Sequence, residues 1–187
     1  MIQVKNVTVS FEGKMVLDNI MLTIPAEGVT YLSGPSGEGK TTLLRVLAGL
    51  LEPDKGFVSL PGRPVLLFQE DRLFPRRTVR DQVRAVLPQA LRGTAEDWLE
   101  LVELSDSLDK YPEELSGGMA RRTALARALA VEGDIYLLDE PFSGVDLDCS
   151  LRILERLKKW GKPILLTGHS PELAGKCNRS VTIVTNL

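Results

Sequence analysis

Three short stretches of this chain carry residue types suited to phosphate chemistry. Gly34-Pro35-Ser36-Gly37-Glu38-Gly39-Lys40-Thr41 matches G-x-x-x-x-G-K-[ST]. Glycines in such a loop let successive backbone N–H groups turn inward onto phosphate oxygens. Lys40 would supply a point charge to the β- and γ-phosphates, and the Thr41 hydroxyl a ligand for magnesium. Asp139 and Glu140 close the apolar run Ile135–Leu138. Asp139 is suited to hold magnesium, directly or through water. Glu140 is suited to polarise a water for attack on the γ-phosphate, a general-base role typically contributing roughly 10²–10⁴-fold in rate. Leu115-Ser116-Gly117-Gly118 bares N–H groups at the start of the next helix, which favours an anion. Residues 34–41 already cradle one set of phosphates, so a second cradle suits the γ-phosphate of a nucleotide held by another copy. Taken singly, each stretch has a plainer reading: a glycine turn, two solvated carboxylates and, with equal force only for Ser116, an ordinary helix cap. Together they predict ATP binding with Mg2+ and hydrolysis.

The elements around these residues are legible from periodicity and turn residues. Ile2, Val4, Val7 and Val9 suggest an opening strand, and Met15 to Ile24 another. Gly28 to Ser33 reads as a short buried strand running into the glycine-rich loop. Thr41 to Ala48 reads as a helix with Leu43, Leu44 and Leu47 on one face, stopped at Gly49. Strand, loop, helix is the context that a phosphate-binding loop requires. Arg63 to Phe68 is expected as a strand leading to Gln69. Beyond it the character turns helical: Thr78 is expected to cap a helix over Val79–Leu87, and Thr94-Ala95-Glu96-Asp97 to form a capping box before Trp98–Leu104. A long helix follows Ser116, apolar along Ala120, Ala124, Leu125, Ala128 and Leu129. Ile135–Leu138 has the unbroken apolarity of a central parallel strand. A helix over Leu147–Trp160 and strands over Pro163–Leu166 and Val181–Val184 complete the reading.

The order of these motifs resembles the ATP-binding subunit of ABC transporters over nearly the whole chain. Gly34 to Thr41 stands as Walker A, Gln69 as the Q-loop, Leu115 to Gly118 as the signature and Ile135 to Glu140 as Walker B. Ser143-Gly144-Val145-Asp146 stands as the D-loop and His169, the only histidine, as the switch residue 30 positions after Asp139. Tyr111-Pro112-Glu113-Glu114 and Ala126-Arg127-Ala128-Leu129-Ala130 also resemble that family. The resemblance implies an α/β P-loop NTPase fold: a mostly parallel sheet core, N-terminal antiparallel strands and a small helical subdomain at about residues 70–115 within a single domain of residues 1–187. It implies two copies paired head to tail around two ATP molecules. Lys40 of one copy and Ser116 of the other would grip one γ-phosphate. Thr41, Gln69 and Asp139 would hold Mg2+, with Gln69 also near the attacking water. His169 would bond the γ-phosphate and orient Glu140. Phe11 sits where the family stacks an aromatic on adenine, against the ordinary reading of a core residue. Thr42, Gly117, Gly118 and Asp146 complete the implied nucleotide contacts. Three features depart from the pattern: Met119 follows the signature glycines, Thr167-Gly168-His169-Ser170 surrounds the histidine, and only 29 positions separate Lys40 from Gln69.

Gln69-Glu70-Asp71-Arg72-Leu73-Phe74-Pro75, with Thr78-Val79 after it, resembles the Q-loop of importers for nitrate, sulfonates and taurine. The implied partners are a second ATP-binding subunit, integral membrane permease subunits and a solute-binding protein, with Leu73, Phe74 and Pro75 as apolar anchors for the permease. The alternative is a soluble ABC ATPase of an assembly complex, such as one building iron–sulfur clusters. A small-molecule P-loop kinase would leave Leu115–Gly118 and His169 without a purpose.

Composition agrees with a single compact unit. The chain has 187 residues, 43% apolar and 26% charged, with a net charge of −2 that offers no reason to expect nucleic acid as the partner. Cys149 and Cys177 lie 28 positions apart, outside any Cys-x-x-Cys pair, and predict two reduced thiols rather than a disulfide or zinc site. No apolar run approaches the ~18 residues of a membrane span, and residues 1–24 alternate polar and apolar, unlike a signal peptide. The expected location is the cytoplasmic face of the membrane, reached through partner subunits, with no C-terminal regulatory domain.

Overall fold

A computed structural model describes residues 1–35 and 37–183; Ser36 and Val184 lie outside the described residues. The centre is a parallel sheet of five strands: β3 (Val29–Ser33), β5 (Pro64–Leu67), β6 (Ile135–Leu138), β7 (Ile164–Thr167) and β8 (Arg179–Thr182), in the order β5-β6-β7-β3-β8. The unbroken apolar run of β6 is buried at all four positions, as a strand covered on both faces must be. Leu67 pairs with Leu138, Leu138 with Leu166, and Leu32 with Thr167. The carboxyl ends of β5, β6, β7 and β3 therefore lie side by side, the edge at which open α/β sheets build their sites.

An antiparallel sheet, β2-β1-β4, packs beside this core. It comprises β1 (Ile2–Phe11), β2 (Lys14–Ile24) and β4 (Lys55–Ser59). Alternate residues along β6 face two separate cores. Ile135 and Leu137 join Val4, Leu17, Leu32 and α1 (Lys40–Leu47) through Leu43 and Leu44. Tyr136 and Leu138 join the helices on the other face, α4 (Gly117–Ala130) and α5 (Leu147–Trp160). The α5 bounds are those the sequence predicts. β4 is not foreseen: three of its five residues, Lys55, Gly56 and Ser59, are polar or lack a side chain, and only Val58 is half-buried.

Between β5 and α4 lie α2 (Val79–Arg84), α3 (Ala95–Leu101) and short 3-10 segments at Gln89–Thr94, Ser105–Ser107 and Pro112–Glu114. Thr78 caps α2 as expected, its hydroxyl accepting the Asp81 N–H at 3.3 Å. The helix stops at Arg84 instead of Leu87, because Pro88 bars its predecessor from helical geometry. The capping box at Thr94 does not form. Thr94 closes a 3-10 turn, and its hydroxyl donates to the Leu91 carbonyl at 2.8 Å. That turn runs straight into α3, which begins and ends three residues before the expected span. Trp98 of α3 meets Trp160 of α5 edge-on at 5.5 Å, and Trp160 lies 4.8 Å from the Tyr136 ring. A short helix, α6 (Pro171–Lys176), was not expected, although Ser170-Pro171 is a readable start signal: the Ser170 hydroxyl accepts the Leu173 N–H at 3.2 Å.

Candidate active site

Each of four neighbouring strands delivers one part of the site at its carboxyl end. β3 leads into the glycine loop and Lys40, β5 to Gln69, β6 to Asp139 and Glu140, and β7 to His169. Gly39 precedes α1 with φ 77°, and a side chain there would strike Leu17 at 2.6 Å. The loop curls so tightly that the Lys40 ammonium, 6% exposed, donates to its own loop at Gly34 O (2.7 Å) and Pro35 O (2.8 Å). A cleft of about 500 Å³ is lined by Gly37, Gly39, Lys40, Thr41 and Thr42, facing Gln69, Glu140 and His169. Residues up to 132 positions apart in sequence thus meet in one place.

The acidic pair is held by neighbours that the motifs do not reveal. The Thr167 hydroxyl donates to Asp139 Oδ1 at 2.8 Å and accepts the Glu140 N–H at 2.9 Å. Glu140 itself adopts φ +47°, a left-handed conformation uncommon for a residue with a side chain and costing of order 1–3 kcal/mol. The Glu140 carbonyl accepts Arg121 Nε at 2.9 Å. That backbone turn aims the Glu140 carboxylate at the histidine, and Glu140 Oε1 meets His169 Nε2 at 3.1 Å. An ionised carboxylate only accepts, so His169 Nε2–H is the donor.

Arg121 is the residue sequence reading missed. It stands on α4, 3% exposed. Its guanidinium donates to Phe68 O (2.9 Å), Gln69 O (3.0 Å), Asp71 Oδ1 (3.0 Å), Glu140 O and Asp139 O. One planar fork thereby ties the Q-loop, the acidic pair and the signature helix together. The only signal in the sequence is an arginine among the apolar positions after Ser116, which by itself reads as a surface charge.

Other candidates stand apart from this cleft. Ser116 and Gly117 are exposed, and Ser116 caps α4 by accepting the Met119 N–H at 3.3 Å. Gly118 packs on the 143–146 loop, its Cβ position 2.6 Å from Gly144 O. Asp146 is exposed and caps α5, accepting the Cys149 N–H at 2.8 Å. Phe11 ends β1 at 45% exposure, so it is not a core residue. Among the described residues none of these lines the Lys40 cleft. Both cysteines are free thiols; burial pushes the Cys149 thiol up and that of Cys177 up to about 11.

The donor set suits magnesium. Thr41, Gln69 and Asp139 offer hard oxygen atoms, and among the described residues Asp139 Oδ2 accepts no hydrogen bond while Oδ1 is engaged by Thr167. No group of three or more His, Cys, Asp or Glu residues forms a cage among the described residues. That fits an ion bound by one carboxylate together with phosphates.

A glycine loop and an acidic pair at the carboxyl ends of one parallel sheet, on strands with only β7 between them, define an α/β P-loop NTPase fold. The chain belongs to the ABC transporter family, whose description matches residues 17–143. An aliphatic sulfonates import ATP-binding protein of Nocardia farcinica is 46% identical over 146 residues, covering 77% of this chain and 60% of the relative. A sulfate/thiosulfate import ATP-binding protein of Escherichia coli K12 is 39% identical over 180 residues, covering 85% of this chain and 48% of the relative. The chain therefore spans about half to three-fifths of the length of these relatives. Two solved structures share the fold. A dimeric ATP-binding cassette in a post-hydrolysis state bound to ADP and Pi gives a TM-score of 0.86 at 27% identity, over 98% of this chain and 94% of that one. A dimeric bacterial ABC transporter cassette gives 0.86 at 28% identity over the same shares.

Proposed function

We propose that this chain is the ATP-hydrolysing motor subunit of an ABC importer. One observation carries the proposal: the Glu140 carboxylate meets the His169 imidazole at 3.1 Å in the cleft that Lys40 and Thr41 line. In this reading Gly34 to Thr42 wrap the phosphates and Lys40 binds the β- and γ-phosphates. Thr41, Gln69 and Asp139 hold Mg2+, which when bound neutralises charge on the phosphates. Glu140 takes a proton from the attacking water as the bond between the γ-phosphorus and the ADP oxygen breaks. His169 orients Glu140 and bonds the γ-phosphate. The Phe11 ring is free to stack on adenine.

Ser116, Gly117, Gly118 and Asp146 are assigned to the nucleotide of a second copy. The exposure of Ser116, Gly117 and Asp146, and the position of all four outside the Lys40 cleft, support this, as do the dimeric cassettes of like fold. The names of the import relatives support permease subunits as partners, a sulfonate- or sulfate-like cargo, and a place on the cytoplasmic face of the membrane. The proposal adds a solute-binding protein as a further partner. Residues 1–187 act as a single domain in this proposal, and the helical stretch at about 70–115 is the subdomain that meets the permease. Phe74, 46% exposed, is an apolar anchor there beside Leu73 and Pro75. The assembly-complex alternative has no observation in its favour.

The test is Glu140→Gln with saturating Mg-ATP. Light scattering is expected to report a dimer, while the unaltered chain hydrolyses its ATP and returns to monomer. A Glu140→Gln variant that stays monomeric overturns the proposal.

A further inference from the structure

The histidine loop of this chain is fitted to one buried hydroxyl. Tyr31 stands on β3 with 2% exposure, beside Leu166 of β7 in the register of the sheet. Its hydroxyl accepts the Ser170 N–H at 3.1 Å. A Cβ at position 168 would lie 2.7 Å from that same oxygen and 3.3 Å from Tyr31 Cζ. Real Cβ atoms do not approach so closely, so residue 168 is glycine because Tyr31 is tyrosine. The hydroxyl thus touches the backbone on both sides of His169. Cavities of about 330 and 350 Å³ flank the loop, and Tyr31, Gly168, His169 and Ser170 line both. Close packing does not hold the loop on either flank. Burial pushes the Tyr31 phenol up, which keeps it a neutral hydrogen-bonding group.

We infer that Tyr31 is a positioning residue for His169: its hydroxyl, seated against Gly168 and bonded to Ser170, sets where the imidazole meets Glu140. The kinetic consequences rest on the ATPase reading above; the geometric claim does not. Without the hydroxyl the Ser170 N–H loses its acceptor and the loop settles into the space beside it. A misplaced group near a reacting centre costs rate more than binding.

Two measurements on the purified chain decide it. His169 is the only histidine, so its ring proton signals in an NMR spectrum need no separation from others. Tyr31→Phe is expected to move or broaden them while leaving the dispersed amide spectrum of the core in place. In the kinetic arm, Tyr31→Phe is expected to lower kcat by roughly three- to tenfold, the worth of one modest hydrogen bond, with KM for ATP little changed. It should have no further effect when His169 is already alanine. Gly168→Ala is expected to lose most turnover, and adding Tyr31→Phe to it to restore part, because the clashing oxygen is gone. Unmoved His169 signals, an equal fractional loss in both His169 backgrounds, or no restoration of Gly168→Ala would each overturn the inference. A chain that turns over no ATP would sink the ATPase reading instead, and the NMR arm would still judge Tyr31.

Discussion

Arg121, on α4 and 19 positions earlier in sequence, donates through Nε to the Glu140 carbonyl at 2.9 Å. The contact joins the helix capped by Ser116 to the backbone of the residue assigned to activate water. The same guanidinium holds the Phe68 and Gln69 carbonyls. Removing it leaves several inward-facing acceptors unpaired. Arg121→Met is expected to lower stability by about 2–4 kcal/mol, read as a drop in urea midpoint. Arg121→Lys should recover only part, because an ammonium cannot span acceptors on three segments. Full recovery by lysine would show that charge rather than the planar fork is what matters.

Thr167 gives a cleaner probe of the acidic pair. Its hydroxyl, 1% exposed, serves Asp139 Oδ1 and Glu140 N–H at once. Thr167→Val keeps the shape and leaves both groups without that partner. The expected loss is about 1–3 kcal/mol in thermal unfolding, with lower ATP turnover because Glu140 is no longer pinned in its left-handed turn. A valine variant with unchanged melting and turnover would rule out this role.

The Ser116 cap and its proposed phosphate contact are separable by one substitution. Aspartate caps helices as well as serine does, so Ser116→Asp should preserve the Met119 N–H bond and the melting temperature. It also places a carboxylate where the second copy's γ-phosphate is proposed to sit. Turnover is therefore expected to fall by about two orders of magnitude, a few kcal/mol of like-charge repulsion, with stability intact. Undiminished turnover across a range of protein dilution would remove Ser116 from the shared site.

Acid should loosen the join between α3 and α5. Glu103, just after α3, accepts Arg152 Nε and Nη2 at 2.8 Å each, and Arg156 Nη2 lies 3.3 Å away. The Arg152 hydrogen bonds, aided by Arg156, hold its carboxyl down to about 2. Because the folded value lies below the ordinary one near 4.5, the contribution is complete above that pH. It fades as pH falls toward about 2. Glu103→Gln is expected to be less stable than the parent chain at neutral pH, with the gap in urea midpoints closing in acid. A gap that is constant with pH would disprove the linkage.

Local rules made much of this protein legible before any fold was known. The glycine loop, the acidic pair and the Ser116 cap follow from residue type and spacing over a few positions. So do β6, from its unbroken apolarity, and α5, from its periodicity. Short-range rules failed where a neighbour decided the outcome: Pro88 cut α2 short, and the 3-10 turn at 89–94 displaced the cap of α3. The site itself lay further out of reach. Tyr31 and Ser170 are 139 positions apart, and Arg121 and Phe68 are 53 apart. No periodicity encodes such pairs, because they follow from strand order. Inserting β7 between β6 and β3 brings His169 to the acidic pair and a core tyrosine beneath the histidine loop. Residue chemistry named the parts, and the packing of the sheet set which of them touch.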